Sequence, residues 1–341
     1  MELENIISNI TAGLTGDTQS DIEYLKQQIE EYRQHKYAQE ITRACGRILY
    51  RLMPQEDKTE YQALMERQQM GMEATLEEIR FAVFRKEYKR AEQMLRTMID
   101  KFEAGGMFRN DQMTQYHSFY EPFEEVLYRF VDRPKRKLHN LELPYAQIYH
   151  EYGMLLLEQG RYDQAKEVLQ KAVRWNPANA QIAFDYMETF KKTGDVASYF
   201  RLTQKVFCYA FRREDVARCY RNLGYYFVQK KLYQAAMGCY LMSMDFDSED
   251  QTAPSELYYI QAVTKKTVNK PTQQELERYA NEYAFPIGAD QIVVGMAWKM
   301  ANKYLDAEKY DAAVYYLKIV YDLTEDEEAK KKLNQIPIQD D

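Results

Sequence analysis

The chain has 341 residues, 45% of them apolar and 29% charged, which is an ordinary folded composition and excludes intrinsic disorder. With only 13 glycines and 9 prolines, it also lacks the chain breakers that sandwiches, barrels and propellers need for their many tight turns. Its 46 basic and 53 acidic residues leave a net charge of −7, which opposes bulk attraction to nucleic acid or anionic lipid, so neither a nucleic-acid nor a membrane partner is expected.

Taken in chain order, residues 1–18 begin with acidic residues rather than the basic ones of a signal peptide, and read as loosely ordered. Asp17 or Ser20 is a candidate cap for a helix near 21–34, whose partner at 37–53 stops at Met53-Pro54. A longer helical stretch over about 57–85 pairs with 87–103, which ends at Ala104-Gly105-Gly106. Residues 110–131 read as an irregular helix pair, with Pro122 in the first turn of its second helix. The stretch from Asp132 to Leu143 is the most linker-like, and its basic run Arg133-Pro134-Lys135-Arg136-Lys137 reads as a solvated, extended segment. Helix pairs follow near 144–176, 180–211, 214–246, 254–284 and 289–322, and a short charged helix at 324–334 caps the end. The expected organisation is therefore a loose N-terminus (1–18), irregular hairpins (19–131), a basic linker (132–143), a regular array (144–322), and a capping helix with a tail (323–341). No stretch reaches the ~18 apolar residues of a membrane span. The four cysteines (Cys45, Cys208, Cys219, Cys239) are too sparse for a disulfide framework and fit small core positions in a reducing cytoplasm.

Internal repetition carries the architecture. One pattern occurs four times: Tyr88-x-x-Ala91, Tyr162-x-x-Ala165, Tyr233-x-x-Ala236 and Tyr310-x-x-Ala313, at intervals of 74, 71 and 77 residues. Each interval is about two units of 34–37 residues, so a less regular copy should lie between each pair. Gly153 and Gly224 stand nine residues before their tyrosines, and Ala301 takes that place before Tyr310. Small residues there let two helix axes approach to about 8 Å. Ile148, Tyr149, Tyr152, Leu155 and Leu156 recur at steps of three and four and make one helical stripe; Ala165, Val168, Leu169 and Ala172 make its partner. Gly160 can take the left-handed conformation that ends the first helix, and Asn176-Pro177 ends the second. A lone hairpin cannot cover its apolar face, so the copies must stack.

The segment from Ala146 to Asn179 resembles the tetratricopeptide repeat at Tyr149, Tyr152-Gly153, Leu156, Gly160, Tyr162, Ala165, Leu169, Ala172 and Pro177. A second copy from Ala217 to about Asp250 supplies Tyr220, Leu223-Gly224, Phe227, Tyr233, Ala236 and Tyr240. The resemblance implies an all-α fold, a right-handed α-solenoid of about seven to eight helix hairpins, whose first helices line a concave surface. Carried over position by position, that surface includes Gln147, His150, Met154 and Glu158 in one copy, and Phe184, Glu188, Lys191 and Lys192 in the next. Arg218, Arg221 and Tyr225 follow, then Trp298 in the last copy; Arg218 and Asn222 imitate part of the family's carboxylate clamp. Asp185 and Glu188 have the wrong sign for that clamp, so chaperone-tail binding is not expected. Arginine forks and a rigid tyrosine suit a peptide or protein ligand, one that is acidic or ends in a free carboxylate.

Nothing in the chain supplies a phosphate loop, a nucleophile elbow or a metal-binding His pair. His35, His117, His139 and His150 share no ligand-like spacing, so neither a metal nor a cofactor is expected. The abundant carboxylates read as solvated helix faces. The expected function is a cytoplasmic, non-catalytic scaffold that grips a peptide or protein segment. The alternative is a peptide-sensing receptor resembling the bacterial tetratricopeptide regulators.

Overall fold

The computed structural model describes residues 2–105 and 108–336. It is an all-α helical-repeat fold with one two-stranded sheet among the described residues, and it comprises two compact units, Met1–Ser118 with Lys135–Pro144 and Phe119–Pro134 with Tyr145–Asp341. Gly106, part of an expected helix stop, and residues 337–341 of the expected tail lie outside the described residues.

In the first unit, α1 (Glu2–Ala12) occupies residues expected to be loosely ordered. Leu3 and Ile10, seven residues apart on one helix face, are buried, and they join Leu25, Ile41, Cys45 and Ile48 of α2 (Thr18–Glu31) and α3 (Ala38–Leu52) in one core. Asp17 caps α2 by accepting the Ser20 amide at 2.9 Å. The long α4 (Gln55–Phe84) turns back into α5 (Tyr88–Gly105), with Leu76, Ile79 and Ala82 facing Ala91, Leu95 and Ile99 in the buried seam.

The expected irregular helix pair at 110–131 is half wrong. Residues Thr114–His117 form β1, which pairs in parallel with β2 (Lys137–Asn140) in the segment expected to be a linker. Thr and Tyr favour a pleated strand, but the partner lies some twenty residues away, and local periodicity cannot show it. Tyr116 stands opposite His139 and stacks on it at 5.6 Å, while Arg136 of the basic run donates to the Asp111 carbonyl at 3.1 Å.

The second unit holds α6 (Pro122–Val131) and the regular hairpins. These are α7 (Tyr145–Glu158) with α8 (Tyr162–Trp175), α9 (Ala180–Thr193) with α10 (Val196–Val206), and α11 (Arg213–Gln229) with α12 (Tyr233–Phe246). A 3-10 turn, Phe207–Tyr209, follows α10. Then come α13 (Thr252–Val263), α14 (Gln273–Tyr283), the hairpin α15 (Gln291–Asp306) with α16 (Tyr310–Thr324), and the short α17 (Glu327–Gln335).

All four anchor tyrosines are the first residue of a second helix, α5, α8, α12 or α16, and all four following alanines are fully buried. Two residues before each tyrosine the backbone is left-handed, at Lys86, Gly160, Lys231 and Glu308, with φ between 55° and 71°. The next amide closes each turn onto the carbonyl five residues back, for example Arg161 to Leu156 at 2.9 Å and Leu232 to Phe227 at 2.8 Å. Only one of the four turns has the glycine that makes it visible in sequence.

Polar contacts help to hold α6. Pro122 opens it as expected, and Glu124 turns back into the second unit, 1% exposed. Its carboxylate accepts from the Tyr120 amide (2.7 Å), Asn176 (2.8 Å) and Asn179 (2.7 Å). Burial pushes this carboxyl above its ordinary value, and the two amide side chains pull the other way.

Near its end the array departs from simple stacking. Tyr220 of α11 donates to the carbonyls of Pro286 and Gly288, both at 2.8 Å, which pins the segment after α14. The α15–α16 hairpin then packs on α17 through α16, and on α6 and the 3-10 turn through α15. Phe123 meets Phe211 and Tyr316, each at 5.3 Å, and Glu121 accepts from Tyr315 at 2.7 Å and pairs with Arg212.

Candidate protein-binding surface

The first helices α7, α9 and α11 each bury one stripe and leave the other side half open. In α7 the buried side is Ile148, Tyr149, Tyr152, Leu155 and Leu156, as the spacing predicts; Gln147 and His150 are half-buried on the other side, and Met154 is 40% exposed. Gly153 lies at the α7–α8 crossing, where an added Cβ would collide with the Leu169 side chain.

The charges on this side are tied across repeats. His150 Nε2 of α7 lies 2.7 Å from Asp185 Oδ2 of α9, and Arg218 of α11 reaches the other Asp185 oxygen at 3.6 Å and Glu188 at 4.0 Å. The Arg218 guanidinium also lies over the Phe184 ring, 4.7 Å from its centre. Arg221 pairs with Asp247 at 3.3 Å and Asp250 at 3.7 Å, both in the turn after α12. Gln181 donates to Asp215 at 2.6 Å, and burial pushes that carboxyl up.

Of the residues expected on the concave surface, His150, Met154, Arg218, Arg221 and Tyr225 stand on these helices at half-buried or exposed positions. Phe184 and Asn222 do not reach the surface. Phe184 is 1% exposed beneath Arg218, and Asn222 is 7% exposed with its amide oxygen accepting from Tyr199 at 2.8 Å. Both sit where a helix face turns from groove to core, a distinction of one residue step that the repeat register alone does not resolve. Trp298 is on α15, which packs on α16, α6 and the 3-10 turn, and the Lys332 ammonium of α17 lies 5.9 Å from its ring centre.

The sequence also left three acids out of the site: Asp247, Asp250 and Glu256. The acid-rich run from Asp245 to Asp250, directly after a helix end, is the signal that could have placed the first two beside an arginine. Tyr225 is the aromatic centre of the face. It packs edge-on against Tyr199 at 5.4 Å, and the Lys191 ammonium lies over its ring at 4.6 Å. Burial, followed by the charges of Glu188 and Glu256, pushes its phenol up.

The match to a family model falls on this surface: residues 146–179, the α7–α8 hairpin with its flanks, match the tetratricopeptide repeat. That segment of the chain matches one tetratricopeptide repeat. Comparison with curated proteins returns no match. Among solved structures, the chain is similar to the human IFIT1 dimer with m7Gppp-AAAA, at 10% identity and a TM-score of 0.28, over 94% of this chain and 77% of that one. That likeness assigns no ligand here.

Two partner expectations are corrected. The exclusion of nucleic acid is withdrawn: net charge averages over the whole surface and does not fix the ligand of one face, and the solved structure named above holds m7Gppp-AAAA. Nor does a ligand chosen for its carboxylate, because Arg218 and Arg221, the forks meant to hold it, already face four carboxylates of their own chain. Among the described residues no helix is long and apolar enough to cross a membrane.

Proposed function

We propose that this protein is a non-catalytic tetratricopeptide-repeat scaffold whose face on α7, α9 and α11 holds a peptide or protein segment. The observation that carries this reading is the continuity of the face. α7 presents His150 and Met154, α11 presents Arg218, Arg221 and Tyr225, and Asp185 of α9 joins the two by pairing with both His150 and Arg218. A preordered lining of this kind loses little side-chain entropy on binding. Its four free thiols fit work in a reducing cytoplasm. The high values of Cys208, pushed to about 11, and of the buried Cys219 and Cys239 fit packing roles rather than nucleophilic ones.

Selection of phage-displayed peptides on the immobilised chain tests the reading. Selected peptides should lose binding to a Met154→Glu/Tyr225→Ala variant and keep it with Glu167→Ala on the exposed side of α8. Peptides that bind both variants equally would place recognition elsewhere and end the proposal.

A further inference from the structure

Resting on the proposed use of this face, one feature of its charge goes further. Asp185, Glu188, Asp247, Asp250 and Glu256 face three cations, Lys191, Arg218 and Arg221, on or beside the three helices and α13. Glu158 of α7 and Lys192 of α9, both exposed, carry opposite charges. The excess is negative, and it is not spread evenly. Both arginines are consumed by two carboxylates each, whereas Glu188 has only a long contact at 4.0 Å, and Glu256 is half-buried and acts on the Tyr225 and Tyr240 phenols by its charge. Both acids act on the Tyr225 phenol by their charge, and an ammonium, Lys191 Nζ, sits over its ring at 4.6 Å. An aromatic face in the field of carboxylates is a seat for a cation, by ring quadrupole and Coulomb attraction together. In the free chain its own lysine fills the seat.

We infer that the segment gripped by this face is basic, and that a lysine or arginine side chain of the partner takes the place of Lys191 over Tyr225, in the field of Glu188 and Glu256. Lys191 is on a flexible stem at the end of α9 and can swing aside, and the partner gains the two carboxylates that the chain leaves under-paired. Complementarity of this sort selects a partner by sign before shape.

Fluorescence anisotropy with three labelled Gly/Ser dodecapeptides tests it, one bearing four lysines, one four glutamates and one four acetyl-lysines, with an adenosine tetranucleotide as a fourth probe. The lysine peptide should bind tightest, and should weaken about tenfold with Glu188→Gln/Glu256→Gln. Glu327→Gln/Glu328→Gln on α17 removes the same charge and should leave binding unchanged. Lys191→Met should tighten binding several-fold, because the seat is then empty. Equal weakening by the α17 variant, or no gain from Lys191→Met, overturns the inference. Preference for the glutamate peptide or the oligonucleotide also overturns it. If phage-selected peptides need Tyr225 yet are acidic, the binding face survives and only the basic partner falls.

Discussion

The four hairpins that begin their second helix with Tyr-x-x-Ala share a turn and differ at one buried position. Nine residues before the tyrosine stands Gly153 in α7–α8, Gly224 in α11–α12, Ala301 in α15–α16 and Ile79 in α4–α5. The two glycine hairpins are the most extensively packed, the alanine hairpin is next, and the isoleucine hairpin is the least. Turn chemistry therefore sets where the chain reverses, and the crossing residue sets how extensively the helices pack. It also explains why the N-terminal copy is hard to recognise: a buried isoleucine takes the place of the small residue, and the repeat pattern dissolves around it.

The strongest way to break that comparison is to fill a tight crossing. A Cβ at Gly224 would lie 2.6 Å from Cζ of Tyr240, a ring 1% exposed with no room to retreat. Gly224→Val should lose about 3 kcal/mol or more in urea denaturation; a loss below ~0.5 would mean that the crossing is not tight. The isoleucine hairpin supplies the converse. Ile79→Ala should cost about 2.5 kcal/mol because α4 and α5 cannot close over the cavity. Recovery of most of that stability would show that spacing in this hairpin is not set by Ile79.

α6 lies outside the repeat pattern and sharpens the contrast, since the buried Phe123 and Leu127 and the polar contacts of Glu124, not a small crossing residue, hold it. Glu124→Gln turns one acceptor oxygen into a donor facing Asn179 or its neighbours, and should cost about 2 kcal/mol near pH 4. Burial raises the Glu124 carboxyl above 4.5, so the folded chain binds that proton more tightly than the unfolded chain does. Stability from this group is thus present below the unfolded value and lost as pH climbs through the raised one. The glutamine variant lacks that decline, so the gap to the parent chain should narrow toward pH 7; a gap that widens would contradict the raised carboxyl. The smallest effect is expected at Gly71 in α4, where an added Cβ meets nothing within 4 Å. Gly71→Ala should raise stability by about 0.7 kcal/mol, through helix propensity alone, and a loss in thermal melts would reveal an unseen contact.

Helical spacing and repeat register were enough to expect His150 and Met154 of α7, and Arg218, Arg221 and Tyr225 of α11, outside the buried stripes, and all five are half-buried or exposed. What the arginines do there was not legible. Asp185 lies 33 residues before Arg218, and Asp247 lies 26 after Arg221; such pairings depend on how repeats stack, not on neighbours in the chain. Phe184 and Asn222 show the same limit at finer grain, since each is one rotation step from the exposed side.

By itself the sequence determined the all-α class, the helix reversals at Tyr88, Tyr162, Tyr233 and Tyr310, and the small residues at three crossings. Those features rest on interactions within a few residues, or within one hairpin, where periodicity and turn chemistry are direct physical causes. Only the tertiary structure decided that residues 2–12 are helical, that β1 and β2 pair in parallel, that Tyr220 pins the chain before α15, and that Arg218 and Arg221 pair with carboxylates of their own chain. Each of these joins segments far apart in sequence, so its free energy appears only after the hairpins have docked.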